Sequence, residues 1–405
     1  MPAPDPITVC HRDTSDSAET SAAPPVRLLV VSGTLSGGGA ERFVSTLLQH
    51  LNRGRIQPSL CLFRDDVTYP LPADVNVSIL GHTGPTSIYR STRRLAGVID
   101  QEQPDVVLSV MDYLGMFVGA ALRQTRHQPR WIARTSNSPE FQFRSWRGRI
   151  RRQWLNRVYP RADIFVANSA GLGSSFEQHF PCARGRTHVL SNPVDVQRLQ
   201  RLATAEWPEA IDASIPNLFY SARLQAQKRP DVLIEAFRIV RQQAPARLWM
   251  CGSGPLLRKV ESSIERHGLR GHVRMVGFRD NIFPLLKAST LAVATSDYEG
   301  LPNNILEAQA LGVPVVSTRS SFGPEEIIEH EQTGLLAERS NPADVARAII
   351  RLLSDTSLRR KMSTQAADRI EDCFSIDQTL PRWEDLILES ATTASEPVSA
   401  RCAAA

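Results

Sequence analysis

Short apolar runs of four to seven residues recur along this chain, each followed by an amphipathic segment, and the whole pattern runs through twice. A strand covered on both faces reads as a continuous apolar run, and a helix-period segment after it returns the chain to lay down a parallel neighbour. In the front half the runs predict strands at 26–32, 58–63, 75–80, 105–110, 130–134 and 163–168, with helices near 40–52, 91–103, 113–125 and 149–158. After a polar, turn-rich linker at 196–215 the pattern restarts. Strands are expected at 216–222, 246–251, 272–276, 290–295 and 313–318, and helices near 229–242, 255–267, 304–311 and 342–353. The expected fold is therefore α/β, with two Rossmann-like doubly wound parallel-sheet domains, 26–195 and 216–375. Ligands of such sheets bind at the carboxyl ends of the strands, in the cleft between the two units.

Composition narrows the class. The 405 residues are too many for one ordinary core, and 42% hydrophobic with 22% charged residues is a globular profile. The apolar stretch 113–122 falls far short of the ~18–20 residues a membrane span needs. The start lacks the basic and apolar regions of a signal peptide, so 1–25 reads as a disordered leader and 391–405 as a tail. Six scattered Cys with no C-x-x-C pair argue against thiolate zinc sites and disulfide scaffolds, and suit the cytoplasm. Charge is uneven: residues 1–25 carry −3, 26–200 carry +10 and 201–405 carry −2. A basic front half on a near-neutral rear half implies different partners for the two.

Three segments at predicted strand ends carry chemistry. GTLSGGGAER (33–42) has Gly37, Gly38 and Gly39 ahead of a helix, where backbone N–H groups favour an anion. It matches neither G-x-G-x-x-G nor a P-loop, which speaks against a nicotinamide-dependent oxidoreductase; a plain turn without ligand explains it equally well. SARLQAQKRP (221–230) puts Arg223 after a strand and Lys228 before a helix, a fork and a point charge suited to clamping a diphosphate, unless they are two unrelated solvated cations. Gly252 and Gly254 in CGSGP permit a second close backbone approach. DYEGLPNNILEAQALG (297–312) is the most specific stretch. Glu299 ends a strand, Gly300 opens a turn, Asn303 is the expected N-cap, Glu307 lies eight residues after Glu299, and Gly312 stops the helix. A surface acidic pair on a capped helix would explain the charges but not the whole string.

EGLPNNILEAQALGVPVV resembles the E-x7-E signature of the retaining GT-B glycosyltransferases of glycosyltransferase family 4. SARLQAQKRPDVLIEAF is similar to that family's diphosphate loop, GGGAERFVSTLLQHL to its first βα turn, VANSAGLGSSF and VLSNPVD to its pre-linker pattern, and SFGPEEIIEHEQTGLLA to the segment after the signature. The resemblance runs in order over roughly 26–390. It implies an acceptor-binding front domain, a nucleotide-sugar-binding rear domain, and a last helix at 376–390, with Trp383, crossing back to the front. It also implies that Arg223 and Lys228 hold the donor diphosphate, Glu307 binds the ribose and Glu299 the donor sugar. Gly254, Gly300, Leu301 and Asn303 would support sugar and phosphate, Gly38 and Gly39 close over the phosphates, and Gly277, Phe278 and Arg279 lie near the base. Transfer with retention is implied, charge on the leaving group being met by two cations and a helix start, with no cofactor and no required metal. Where many relatives carry His, 108–115 and 133–140 have none; Arg134 and Asn137 resemble the version found in relatives that build surface polysaccharides and lipid-linked oligosaccharides. Asp112, Asn137 and Glu140 are the candidates for an acceptor-side base. The alternative reading is a non-catalytic nucleotide-sugar-binding scaffold.

Residues 123–161 hold eleven Arg and one acid, with Phe141, Phe143, Trp146, Trp154 and Tyr159 among them. A solvated helix face and a nucleic-acid surface share that composition. In the company of a lipid-linked acceptor, the expectation is an anionic membrane surface and not nucleic acid, with peripheral attachment to the cytosolic leaflet.

Overall fold

The structure is a computed structural model, and it describes residues 24–81 and 88–392. Residues 1–23 of the expected leader (1–25) and all but two residues of the expected tail lie outside the described residues. Among those described, two parallel sheets form. The front sheet holds β1 (Val26–Ser32), β2 (Ile56–Leu62), β3 (Asn76–Ile79), β4 (Val106–Ser109), β5 (Arg130–Thr135), β6 (Ile164–Ala167) and β7 (Thr187–Val189), in the order β3-β2-β1-β4-β5-β6-β7. The rear sheet holds β8 (Asn217–Ser221), β9 (Arg247–Cys251), β10 (Val273–Gly277), β11 (Leu291–Ala294), β12 (Val315–Thr318) and β13 (Gly334–Ala337), in the order β10-β9-β8-β11-β12-β13.

Both orders turn back at a central strand, β1 in front and β8 behind, and those switch points lie beside the Gly-rich turn and the Arg223–Lys228 loop. The apolar runs became strands because the sheets are covered on both faces: Leu28 to Val31 and Val106 to Leu108 are all at or near zero exposure. Two of the elements that the apolar runs did not reveal are short or polar. Strand β13 is four residues, and the helix Val196–Leu202 occupies the first part of the expected linker, capped by the Asp195 carboxylate accepting from the Arg198 N–H at 2.8 Å.

The last helix runs Ile376–Thr392, two residues into the expected tail, and packs against β1 and β4 of the front sheet. Trp383 is fully buried there, 4.9 Å from the Phe43 ring, and its indole N–H donates to the Ser191 carbonyl at 3.1 Å. Glu384 accepts from the Asn52 N–H at 2.7 Å. The chain thus passes between lobes twice, and the two passages pair: Val194 N–H donates to the Phe374 carbonyl at 3.0 Å and Ile376 N–H to the Val194 carbonyl at 2.9 Å. Among the described residues no helix is long and apolar enough to cross a membrane.

Candidate active site

A cleft of about 580 Å³ lies between the lobes, walled by the carboxyl ends of β1, β5 and β6 in front and of β8, β9 and β11 behind. It gathers most of the predicted residues: Gly38, Gly39, Arg134, Asn137, Arg223, Lys228, Phe278, Arg279, Glu299, Gly300, Leu301, Asn303 and Glu307. A shallower hollow of about 610 Å³, near Arg201, Lys287 and Gly312, contains none of the predicted site residues.

The rear wall is cationic where β8 ends. Arg223 is exposed on the loop, and Lys228 follows on a short 3-10 turn. The Lys228 ammonium meets Glu299 at 2.5 Å, both side chains largely sheltered. This pairing keeps two opposite charges together in a poorly hydrated place, where either one alone would be costly. The helix Asn303–Ala310 starts at the same wall, so its free N–H groups reinforce the positive end. Its N-cap is Pro302, not Asn303. The Asn303 side chain is used across the cleft instead: its amide donates to the Gly39 carbonyl at 3.2 Å, and its oxygen accepts from Asn192 at 2.7 Å. At Gly300 the lobes approach closely. A Cβ there would run into the Ser136 carbonyl oxygen and lie 2.7 Å from the Asn168 side-chain oxygen.

The front wall opens with the turn to the helix Gly39–His50, where Gly37 takes a φ of 72° that only glycine adopts freely. The side chains that follow, Ala40, Glu41 and Arg42, also line the cleft. Burial pushes the Glu41 carboxyl up, against the pull of Arg223, Arg134 and Arg64. Arg42 forms an ion pair with Glu307 of the opposite lobe. Arg134 is fully buried; burial pushes its guanidinium down to about 10, with Asp112 and Glu41 opposing. It donates to the Asn192 oxygen at 2.6 Å and the Val110 carbonyl at 3.2 Å, and lies 4.1 Å over the Phe43 ring. Its Nε, like the buried Asn168 Oδ1, has no hydrogen-bond partner among the described residues, so both leave capacity for a ligand.

Four predicted residues do not line the cleft: Gly277, whose carbonyl accepts from the Gly252 N–H at 2.7 Å, and Asp112, Glu140 and Gly254. Asp112 is buried and accepts from Gln142 at 2.9 Å, Tyr159 at 3.0 Å and Thr135 at 3.1 Å; it ties the front lobe together and has no free face toward an acceptor. Burial pushes its carboxyl up while those donors oppose it. Glu140 is exposed on the short helix Pro139–Gln142, outside the cleft. Gly254 packs on the Leu224 carbonyl, where a Cβ would sit at 2.5 Å; Gly252 and Ser253 line the cleft in its place. Asn137 does reach the cleft. Residues that sequence reasoning missed are Glu41, Arg42, Asn168 and Asn192. All four sit in segments singled out as motifs, but their neighbours come from the other lobe or another strand.

Two family models match the chain one after the other, with this division. Residues 37–198 match Glycosyltransferase Family 4, and 204–369 match Glycosyl transferases group 1. The chain belongs to the GT-B glycosyltransferases. It is similar to the N-acetylgalactosamine-N,N'-diacetylbacillosaminyl-diphospho-undecaprenol 4-alpha-N-acetylgalactosaminyltransferase of Campylobacter jejuni, 23% identical over 83% of this chain and 92% of that one. It is also similar to the lipopolysaccharide core biosynthesis glycosyltransferase LpsE of Rhizobium meliloti, 32% identical over 54% of this chain and 62% of that one. The fold matches HepE of Anabaena, solved with UDP and glucose, with a TM-score of 0.73 at 19% identity over 90% of this chain and 100% of that one. In this glycosyltransferase both Glu299 and Glu307 line the cleft between the two matched segments.

Proposed function

We propose that this glycosyltransferase moves a hexosyl or N-acetylhexosaminyl group, with retention, from a nucleoside-diphosphate sugar to a glycan or lipid-linked acceptor in cell-surface polysaccharide or glycolipid synthesis. The observation that carries the reading is the convergence of Arg223, Lys228 and the start of the helix Asn303–Ala310 on one wall of the cleft, beside Glu299 and Glu307. That wall suits a diphosphate, and the two carboxylates suit the hydroxyls of a sugar and a ribose. The relatives named for lipopolysaccharide core synthesis and for a diphospho-undecaprenol acceptor support the choice of acceptor.

In this reading the bond from the anomeric carbon to the diphosphate oxygen breaks while the acceptor oxygen bonds to the same face. The acceptor proton passes to the departing phosphate oxygen. Arg223 and Lys228 stabilise the charge that accumulates on the leaving group, and the closed lobes hold acceptor and donor in register. The proposal includes no required divalent ion and no cofactor. A melting-shift panel of UDP-, GDP- and ADP-sugars, followed by nucleoside-diphosphate release with and without EDTA, tests it. Binding of one base class with slow release that survives EDTA is expected. Binding with no release under any acceptor would favour the scaffold reading.

The helix Trp146–Val158 supports attachment to a membrane. Trp146, Ile150 and Trp154 are 62%, 49% and 47% exposed at a spacing of four residues, so they form one apolar stripe. Arg147, Arg149, Arg151, Arg152 and Arg157 are on the same helix without any acid. Such a helix lies in the interface of an anionic bilayer, aromatics inward and cations at the headgroups. Flotation with phosphatidylglycerol vesicles should succeed for the wild type and fail for the triple Ser variant of the stripe. Equal flotation of both would remove the helix from the account.

A further inference from the structure

The GGGAER turn is a motif whose glycines the donor reading uses and whose last residue it does not. Arg42 leaves the first turn of the front-lobe helix Gly39–His50 and spans the cleft to Glu307 on the rear-lobe helix Asn303–Ala310, a separation of 265 residues in sequence. The contact is built rather than incidental. The guanidinium lies 5.4 Å from the Tyr69 ring and 5.8 Å from the Phe283 ring, one from each lobe. Its second terminal nitrogen donates to the Tyr69 hydroxyl at 3.4 Å. An arginine held between aromatic faces keeps its fork in one orientation, so the carboxylate it grips is also fixed.

The bond engages one oxygen of Glu307, Oε1. A carboxylate has about four acceptor sites, so hydroxyl groups can still be received. Glu307 is itself only 7% exposed, and an ionised carboxylate in that position needs a compensating cation. Lys228 is committed to Glu299, which leaves Arg42 as the cation in contact with Glu307.

We propose that Arg42 is a positioning residue for the donor: it crosses from the acceptor lobe to hold Glu307 in the orientation that recognises the ribose hydroxyls. The inference rests on the assignment of Glu307 to the donor ribose under Proposed function. It adds that ribose recognition is a property of both lobes, complete only when the cleft is closed.

The test is a titration with a nucleoside diphosphate and its 2′-deoxy form, UDP with dUDP or the guanosine or adenosine pair, whichever base gives the larger melting shift. Wild type, Arg42→Met and Arg42→Lys are compared, with folding of each checked by its melting curve. Hydrogen bonds to a charged acceptor are strong enough that the wild type is expected to prefer the ribose form about tenfold. In Arg42→Met that preference should fall to about twofold, and Arg42→Lys, which keeps charge but not the fork, should lie between. A purely structural contact would weaken both ligands alike and leave the ratio at the wild-type value, and that result overturns the proposal. Should the Met variant fail to fold, the Lys variant decides alone: a wild-type ratio there counts against the role. A wild type that does not distinguish the two sugars would instead remove the ribose assignment of Glu307, and with it the basis for Arg42.

Discussion

Replacing Lys228 by Ala separates what the cation does for the reaction from what it does for the fold. The ammonium is 2.5 Å from Glu299, with side-chain exposures of 18% and 9%, so its field reaches a diphosphate through little water. Removing one fixed donor aimed at developing negative charge typically costs about 10²–10³ in kcat, or ~2.7–4 kcal/mol of transition-state stabilisation. The same substitution leaves Glu299 without its partner. Because the pair keeps some solvent, the loss of stability should fall below the ~3–5 kcal/mol of a fully buried pair, a drop of several degrees in Tm. Release of nucleoside diphosphate at saturating donor measures the first effect, and a circular-dichroism melt the second. The double variant Lys228→Ala, Glu299→Gln should recover part of the lost Tm, since no unpaired carboxylate remains. A kcat within threefold of wild type for Lys228→Ala would refute the placement of the leaving group at this wall.

Trp383→Ala empties a fully buried site at the return of the last helix to the front lobe, and should cost about 3–5 kcal/mol and lower Tm by roughly 6–20 °C in a scanning melt; a shift under 2 °C would contradict the packing. Glu41→Gln should raise Tm above the usual carboxylate range. Burial lifts the Glu41 pKa in the folded state, so between the unfolded and folded values the native chain holds the extra proton and stability falls as pH rises. The gain should therefore be full at pH 8 and fade toward pH 4; a gain that grows on acidification would have the wrong sign. Phe141→Ala removes a parallel stack on Tyr298, 4.1 Å between centroids and 7° between planes, which joins the lobes beside the cleft. It should raise KM for the acceptor more than kcat falls, measured by initial rates.

Eleven of the thirteen strands were legible, the inner ones because both faces are covered, which writes burial into consecutive residues; β7, largely exposed, and the four-residue β13 were not. The rear-lobe cations and glutamates were legible because strand-end loops carry them at short spacing. Arg42 was not, because its partner is 265 residues away and spacing within a lobe shows only one half of a contact between lobes. Asn192 was missed for the same reason, joining Arg134 on one side and Asn303 on the other. Asp112 misled in the opposite direction. A lone carboxylate after a strand suggests a functional group, whereas three donors from β5, the short helix Pro139–Gln142 and Tyr159 converge on it and keep it inside the lobe. The helix Val196–Leu202 was hidden by polar residues on a face that solvent takes up.

The paired passages at Val194 and Ser375–Ile376 make the connection a door on two pins rather than a ball on a string. Such a joint would confine any swing to one axis and resist twist, so the jaws would meet again in the same alignment. It also means that the front jaw is not one continuous stretch of chain, while the rear one is: a gene cut at the first pin would strip the front piece of its Trp383 plug and leave an open apolar socket.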